Sequence, residues 1–126
     1  MTTSADARAR MEAICGRLPE AEAEPAGEQH LACTVRGRTF AYLLDDHHGD
    51  GRLAINIKVA PGRNTDLAAG DPQRFFIPAH VGPRGWVGMF LDVGEVDWDL
   101  VGELVADSFR LVAPKRLVRE LDAGGP

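Results

Sequence analysis

The sequence has few side chains that serve as catalytic nucleophiles. It contains two cysteines, Cys15 and Cys33, and two serines, Ser4 and Ser108. The cysteines have apolar neighbours and form no CxxC motif, so we expect two buried thiols rather than a disulfide or a catalytic thiolate. Neither serine lies in a GxSxG turn, which argues against a Ser-His-Asp triad. We therefore predict that the protein is not an enzyme and has no catalytic residue.

Motifs for metal ions and for phosphate-binding loops are also missing. The four histidines are scattered, and the turn "DDHHGDG" at residues 45–51 has the ligand order of neither a calcium loop nor a zinc site. We interpret it as a solvated turn. The stretch "GPRGWVG" at residues 82–88 contains no GxGxxG, and a strand pattern follows it where a phosphate loop needs a helix. The sequence thus predicts no metal site and no cofactor.

Long apolar runs and an excess of positive charge are absent as well. No apolar run is long enough to span a bilayer, and residues 1–18 contain no apolar block of signal-peptide length. We therefore expect a cytoplasmic protein with no membrane partner. Fourteen Lys and Arg residues face nineteen Asp and Glu residues, for a net charge of −5. This balance argues against indiscriminate nucleic-acid binding but permits a local basic patch.

The chain length and composition suit one globular domain. It has 126 residues, of which 44% are hydrophobic. We predict a single domain over residues 1–126, with frayed ends at residues 1–3 and 122–126.

Helical periodicity predicts four helices. The first spans residues 4–18, with Ser4 as its N-cap. Ser108 is expected on the buried side of a later, longer helix, where its hydroxyl can bond the backbone. The three later helices begin at recognisable signals, which are Asn64 or Thr65, then Asp97, then Pro114.

Alternating apolar residues predict an antiparallel meander. Residues 30–35 and 38–44 flank the tight turn Arg36-Gly37, and an acidic edge strand precedes them. Residues 52–59 alternate cleanly, and a further strand covers residues 85–93, where Gly88 lets a neighbouring side chain approach the sheet. Because no parallel β-α-β alternation occurs, we predict an α+β fold with two layers, in which helices pack on one face of an antiparallel sheet.

Basic side chains recur at the predicted tips and ends of these elements. Loop tips are where arginine can reach phosphates or a groove, although isolated surface arginines also serve solubility alone. With a net charge of −5, composition alone favours the solubilising role over phosphate contacts. The candidate phosphate contacts are Arg36, Arg38, Lys58, Arg63, Arg84, Lys115 and Arg116.

Several segments together resemble the MmcQ/YjbR-like family of small bacterial proteins. "HLACTVRGRTFAYL" is similar to the family's His-x-x-(aromatic)-x-Val-x-Gly-Lys-x-Phe-Ala segment. "CGRLPEAEAE", "IKVAPG", "DPQRFFIPAHVGPRGWVGMFLD" and "SFRLVAPKRL" follow the family's order. The chain departs from the pattern at Cys33, where an aromatic residue is common, and at Arg38, where lysine is common. We identify it as a member of this family.

The resemblance implies a CyaY-like fold and a DNA-binding protein of a "double wing" type. Carried over to this chain, the wings are the hairpin with Arg36-Gly37-Arg38 at its tip and the loop 82–85. DNA is the partner that the family label implies. No helix rich in Arg, Asn or Gln is visible, so we expect little direct readout of bases.

An alternative function is a binding module for a small molecule or a protein, without nucleic acid. Such a module needs a concave, largely apolar pocket with a few polar groups. The residues that could form it are Tyr42, Asn56, Phe76, His80 and Trp86.

Overall fold

The computed structural model describes residues 2–27 and 29–124, without the side chain of His48, and in this part the chain forms one open sheet covered by helices. The strands are β1 (Ala21–Pro25), β2 (Leu31–Val35), β3 (Arg38–Asp45), β4 (Leu53–Lys58), β5 (Phe75–Phe76) and β6 (Trp86–Phe90). The helices are α1 (Ser4–Gly16), α2 (Arg63–Gly70), α3 (Trp98–Val112) and α4 (Lys115–Ala123). All neighbouring strands pair antiparallel in the order β1-β2-β3-β4-β6-β5. The predicted α+β fold with an antiparallel meander is confirmed.

One face of the sheet packs against α1 and α3 and forms the core. Leu53, Ile55 and Ile57 of β4 are at most 6% exposed. In register with Ile55 lie Leu43 of β3 and Met89 of β6, which are also buried. The alternation predicted for residues 52–59 therefore places its apolar side against the helices, as expected.

A β-bulge interrupts the pairing of β2 with β3. Cys33 pairs with Ala41, whereas the next residue, Thr34, pairs with Thr39, so that Phe40 is left over. Phe40 and Ala41 are both fully buried. Consecutive residues of a regular strand face opposite sides, and the bulge is what turns both of these towards the core.

Ser108 of α3 completes the hydrogen bonds of the sheet at this bulge. Its hydroxyl donates to the Phe40 carbonyl over 2.6 Å and accepts from the Lys58 backbone N–H over 3.0 Å. Ser108 is fully buried, as predicted. Its hydroxyl bonds the backbone of two strands, so the expected backbone bond is made to the sheet.

Three predicted helix starts differ from the observed ones. The N-cap of α1 is Thr3, whose hydroxyl accepts from the Asp6 N–H over 3.1 Å, and Ser4 is already helical. Helix α2 begins one residue before Asn64, at Arg63. Pro114 is the N-cap of α4, whereas it was predicted as its first helical residue. Asp97 caps α3 through a bond from the Leu100 N–H, as predicted.

Parts of the predicted frayed ends lie outside the described residues, namely residues 1, 125 and 126. No helix in the described part of the chain is long and apolar enough to cross a membrane.

Candidate functional site

A first groove lies where the β2–β3 hairpin meets the junction of α3 and α4. It has a volume of about 410 Å³ and is lined by Arg36, Arg38 and Lys115 together with Val112, Ala113 and Pro114. Arg36 and Gly37 form the two-residue hairpin tip, and both have positive φ values, 50° and 77°. These angles are those of a tight turn that follows the twist of the strands. The predicted hairpin thus brings two arginines to the start of α4.

A second groove reaches the same end of α3. It encloses about 480 Å³, and its lining includes Lys58, Arg84 and Leu111. Lys58 is the last residue of β4 and pairs with Trp86, the first residue of β6. The glycine-rich stretch forms a short 3-10 turn, Gly82–Arg84, directly before β6, so it leads into a strand as predicted.

The two grooves make one end of the molecule basic. Because β3 begins where its antiparallel neighbour β4 ends, Arg38 and Lys58 lie at the same end of these two strands. The partial negative charge at the carboxyl end of α3 favours cations there. We call this region the basic end and define it by Arg36, Arg38, Lys58, Arg63, Arg84, Lys115 and Arg116.

Two carboxylates contact the basic end. Glu20 accepts from Arg36 over 2.7 Å and from Arg116 over 3.2 Å. These arginines, Arg36 first, hold the pKa of Glu20 below its ordinary value. Asp107 lies 3.5 Å from Arg63. All of these side chains are exposed, so the pairs are weak in water and can open to a competing anion.

The other four cations of the basic end are unpaired within the described residues. Arg38, Lys58, Arg84 and Lys115 make no side-chain hydrogen bond and no ion pair with any described residue. They are therefore available to an external anion without loss of an internal contact.

Asn64 holds the loop that carries Arg84. The Asn64 side chain is 7% exposed, and its amide donates to the Gly82 carbonyl over 2.9 Å and to the Trp86 carbonyl over 3.2 Å. Its oxygen accepts from the Thr65 N–H over 2.8 Å. Asn64 thus joins the start of α2 to both ends of the loop, a role that its sequence position did not indicate.

The face of the sheet opposite the helices carries aromatic side chains. One row across it runs from Tyr42 of β3 through Asn56 of β4 and Gly88 of β6 to Phe76 of β5. A side chain at Gly88 would collide with the Phe76 ring, so glycine is what lets this ring lie flat on the sheet. The close approach expected at Gly88 is confirmed. We call this surface the open face.

One half of the open face is closed by an arginine. The Phe76 and Phe90 rings stack with centroids 4.5 Å apart, and the Arg52 guanidinium lies 3.7 Å from the Phe90 centroid. The Asp92 carboxylate accepts two hydrogen bonds of 2.9 Å from the Arg52 guanidinium and a third from the Leu53 N–H. The pKa of Asp92 is lowered, chiefly by the hydrogen bonds from Arg52.

The ion pair between Arg52 and Asp92 gives a prediction for stability in acid. Since folding lowers the pKa of Asp92, its carboxylate stabilises the fold above its unfolded pKa of about 3.9, and this contribution disappears as the pH falls through the lower folded value. We expect Asp92→Asn to cost about 1 kcal/mol at pH 7, after discounting for solvent screening at the exposed Arg52. Urea unfolding at pH 7 and at pH 3 measures the difference.

The matched control is Asp99→Asn, which removes an exposed carboxylate that has no ion pair with a described residue. It should cost a few tenths of a kcal/mol through the helix dipole. If Asp92→Asn lowers the free energy of unfolding equally at pH 3 and pH 7, the ion pair does not contribute to stability.

The other half of the open face adjoins the basic end. The Tyr42 and Trp86 rings have centroids 5.9 Å apart, with 42° between their planes. Their strands are separated by β4, which corresponds to about 9–10 Å between backbones. The two half-buried rings therefore lean towards each other over β4, at the level of Asn56 and Lys58.

Asn56 is the polar group beneath these rings. It is 9% exposed, and its Oδ1 is buried without a hydrogen-bond partner among the described residues. Buried acceptors are nearly always paired, so an unpaired one at the centre of an aromatic surface needs an explanation.

His80, the fifth residue of the predicted pocket, does not join this group. It is exposed on the loop between β5 and β6, with a left-handed φ of 69°, and no hydrogen bond or ring contact connects it to Asn56. The structure brings Tyr42, Asn56, Phe76 and Trp86 to one face and leaves His80 at a turn.

Residues considered for other chemistry are engaged in the fold. Cys15 and Cys33 are free and buried, and a mutual hydrogen bond together with burial raises the pKa of Cys33. In the polar turn, Asp46 and Asp50 accept from backbone N–H groups. Among the side chains that the structure describes, which exclude that of His48, no group of three or more His, Cys, Asp or Glu is arranged to hold a metal ion.

A third groove, about 800 Å³, lies between α1 and α3, and its lining includes Asp107, the carboxylate that contacts Arg63. Three arginines and three carboxylates line it, and the Arg10 guanidinium lies over the Trp98 ring at 5.2 Å. Its mixed charge gives no preference for an anionic or a cationic ligand.

Known proteins resemble the chain in sequence and in fold. The YjbR family model matches residues 16–111. Protein DR2400 of Deinococcus radiodurans, described as a DUF419 domain, is 30% identical, with a TM-score of 0.69 over 100% of this chain and 91% of that one. A Pseudomonas syringae protein shares the fold at 15% identity, with a TM-score of 0.64 over 82% of this chain and 97% of that one. No curated protein matches the chain. Because the family model spans well over half of the residues, the chain belongs to the YjbR family.

Proposed function

We propose that this protein is a non-catalytic, cytoplasmic nucleic-acid-binding protein of bacteria that contacts phosphates through its basic end. The observation that carries the proposal is the gathering of five basic side chains, Arg36, Arg38, Lys58, Arg84 and Lys115, in the two grooves at the carboxyl end of α3; the last four of them are unpaired within the described residues. Phosphates are the ligands that a cluster of exposed Arg and Lys at loop tips is suited to bind.

The placement of the basic end agrees with a double-wing arrangement. The hairpin tip, Arg36-Gly37, and the loop 82–85 flank the same helix end. A strand of nucleic acid that lies across this end can contact both, while the acidic remainder of the protein repels it. This arrangement favours a defined contact over indiscriminate adsorption.

The proposal predicts binding that weakens steeply with salt. With about four phosphates contacted, the logarithm of the association constant should fall with the logarithm of salt concentration at a slope of about −3 to −4. Fluorescence anisotropy with labelled mixed-sequence DNA, single-stranded and duplex, over a salt series measures this slope. Absence of binding at about 20 mM salt would exclude the function.

Charge reversals locate the contact. Arg84→Glu and Lys115→Glu should each weaken binding about tenfold and make the salt slope shallower by about one. Arg10→Glu is the matched control, since it makes the same charge change beside Trp98, near the other end of α3. If all three variants weaken binding equally, overall charge and not the basic end determines affinity.

A further inference from the structure

We infer that the open face receives the bases of a single-stranded nucleic acid, so that the strand's bases stack on Trp86 and Tyr42 while its phosphates lie on the basic end. This inference rests on the proposed function and adds the substrate class, a single strand rather than a duplex.

The first support is the continuity of the two surfaces. Lys58 is in register with Trp86, and both side chains lie on the open face because Ile57 and Val87 face the core. Arg84 precedes Trp86 by two residues and borders the same groove as Lys58. A nucleotide stacked on Trp86 therefore has cations for its phosphate within the adjacent residues.

The second support is the chemistry of the aromatic surface. Exposed rings on a sheet bind unpaired bases of any sequence, because every base has a planar face, and cations beside them track the backbone. In a duplex the faces of the bases are covered by their neighbours in the stack. In the half of the open face near the basic end, Tyr42 and Trp86 contact each other, and no cation of the described residues lies over either ring. In the other half, Arg52 covers the Phe90 ring.

The third support is the unpaired acceptor. Asn56 Oδ1 is buried beneath the leaning rings of Tyr42 and Trp86 and has no partner among the described residues. A base that separates the two rings can donate an exocyclic amino or ring N–H to this oxygen. Binding then supplies the hydrogen bond that no described residue gives to this oxygen in the free protein.

The experiment uses Trp98→Phe protein, in which Trp86 is the remaining tryptophan. Titration with a 15-nucleotide single strand should quench Trp86 fluorescence at the concentrations at which anisotropy reports binding. The same sequence as a duplex should cause little quenching. In this background Trp86→Leu, read by anisotropy, should weaken single-strand binding about tenfold.

Phe90→Leu is the matched aromatic control, because its ring lies under Arg52. It should change affinity by less than about twofold. Asn56→Leu should weaken single-strand binding while raising the melting temperature by about 3 °C or more, because an apolar side chain of similar size replaces an unpaired acceptor.

The outcomes separate this inference from the function on which it rests. Salt-dependent binding that Lys115→Glu weakens, without Trp86 quenching and without an effect of Trp86→Leu, would keep the basic end and overturn the base site. Quenching by a free mononucleotide as strong as by the oligonucleotide would overturn the single strand as ligand. If neither nucleic acid binds, both proposals fail together.

Discussion

Replacement of Ser108 by alanine is expected to destabilise the protein by about 2–4 kcal/mol. The hydroxyl accepts from the Lys58 N–H and donates to the Phe40 carbonyl, and Ser108 has no exposed surface. Its removal leaves two buried backbone groups without these partners, each at a cost of about 1–3 kcal/mol. Since a domain of this size has about 5–15 kcal/mol of stability in total, the melting temperature should fall by about 10 °C. Urea unfolding and calorimetry measure both quantities.

Thr65→Val is the matched control for this substitution. The Thr65 hydroxyl donates to the Gly62 carbonyl at an exposed position, where water can replace it. Its loss should cost less than about 1 kcal/mol. A Ser108→Ala protein that is within about 0.5 kcal/mol of the parent would show that the bulge satisfies its backbone groups in another way.

Asn64→Ala is expected to cost about 2–3 kcal/mol and to loosen the loop 82–85. The Asn64 amide donates to the Gly82 and Trp86 carbonyls at the two ends of this loop. Both carbonyls lose a buried donor in the variant. Hydrogen exchange of the loop amides should accelerate more than exchange in β3 and β4, and DNA affinity should fall because Arg84 is no longer held in place.

Asn64→Asp tests whether the donors matter and not the shape. The introduced carboxylate can still accept from the Thr65 N–H, but at neutral pH it has no hydrogen to donate to the two carbonyls. Desolvation and the facing carbonyls raise its pKa, so the variant should be at least as unstable as Asn64→Ala at pH 7. It should regain stability relative to Asn64→Ala as the pH falls below the raised pKa and the acid protonates. A variant as stable as the parent at pH 7 would refute the role of the donors.

Much of the fold follows from local patterns in the chain. Strand β4 alternates between apolar and polar residues, and this alternation predicts which side faces the helices. Arg36-Gly37 between two strand patterns predicts the hairpin turn, and Asp97 predicts the start of α3. These features depend on residues within a few positions of each other, so neighbouring residues suffice to recognise them.

Other features depend on contacts between distant parts of the chain, and the sequence does not indicate them. The pattern of the acidic edge strand does not indicate that Glu20, just before it, pairs with Arg36 and Arg116, which lie 16 and 96 positions away. The β-bulge at Phe40 shifts the pairing by one residue, and no glycine or proline marks it. The predicted pocket is incomplete for the same reason. His80 is near Trp86 in sequence, but it lies at a turn with a left-handed φ and does not join the other four residues.

The candidate site divides in the same way. Turn and strand patterns locate the ends of the elements, so the sequence predicts that basic residues lie at these tips and ends. That these ends meet around α3 is seen only in the folded chain, since antiparallel pairing and the packing of α3 set which ends are neighbours. Asn64 and Asn56 show the physical reason most directly. Both are buried asparagines, but the Asn64 amide donates to two loop carbonyls, whereas the Asn56 oxygen beneath two rings has no partner among the described residues. Whether a buried polar group is satisfied depends on partners that only the folded chain brings within reach.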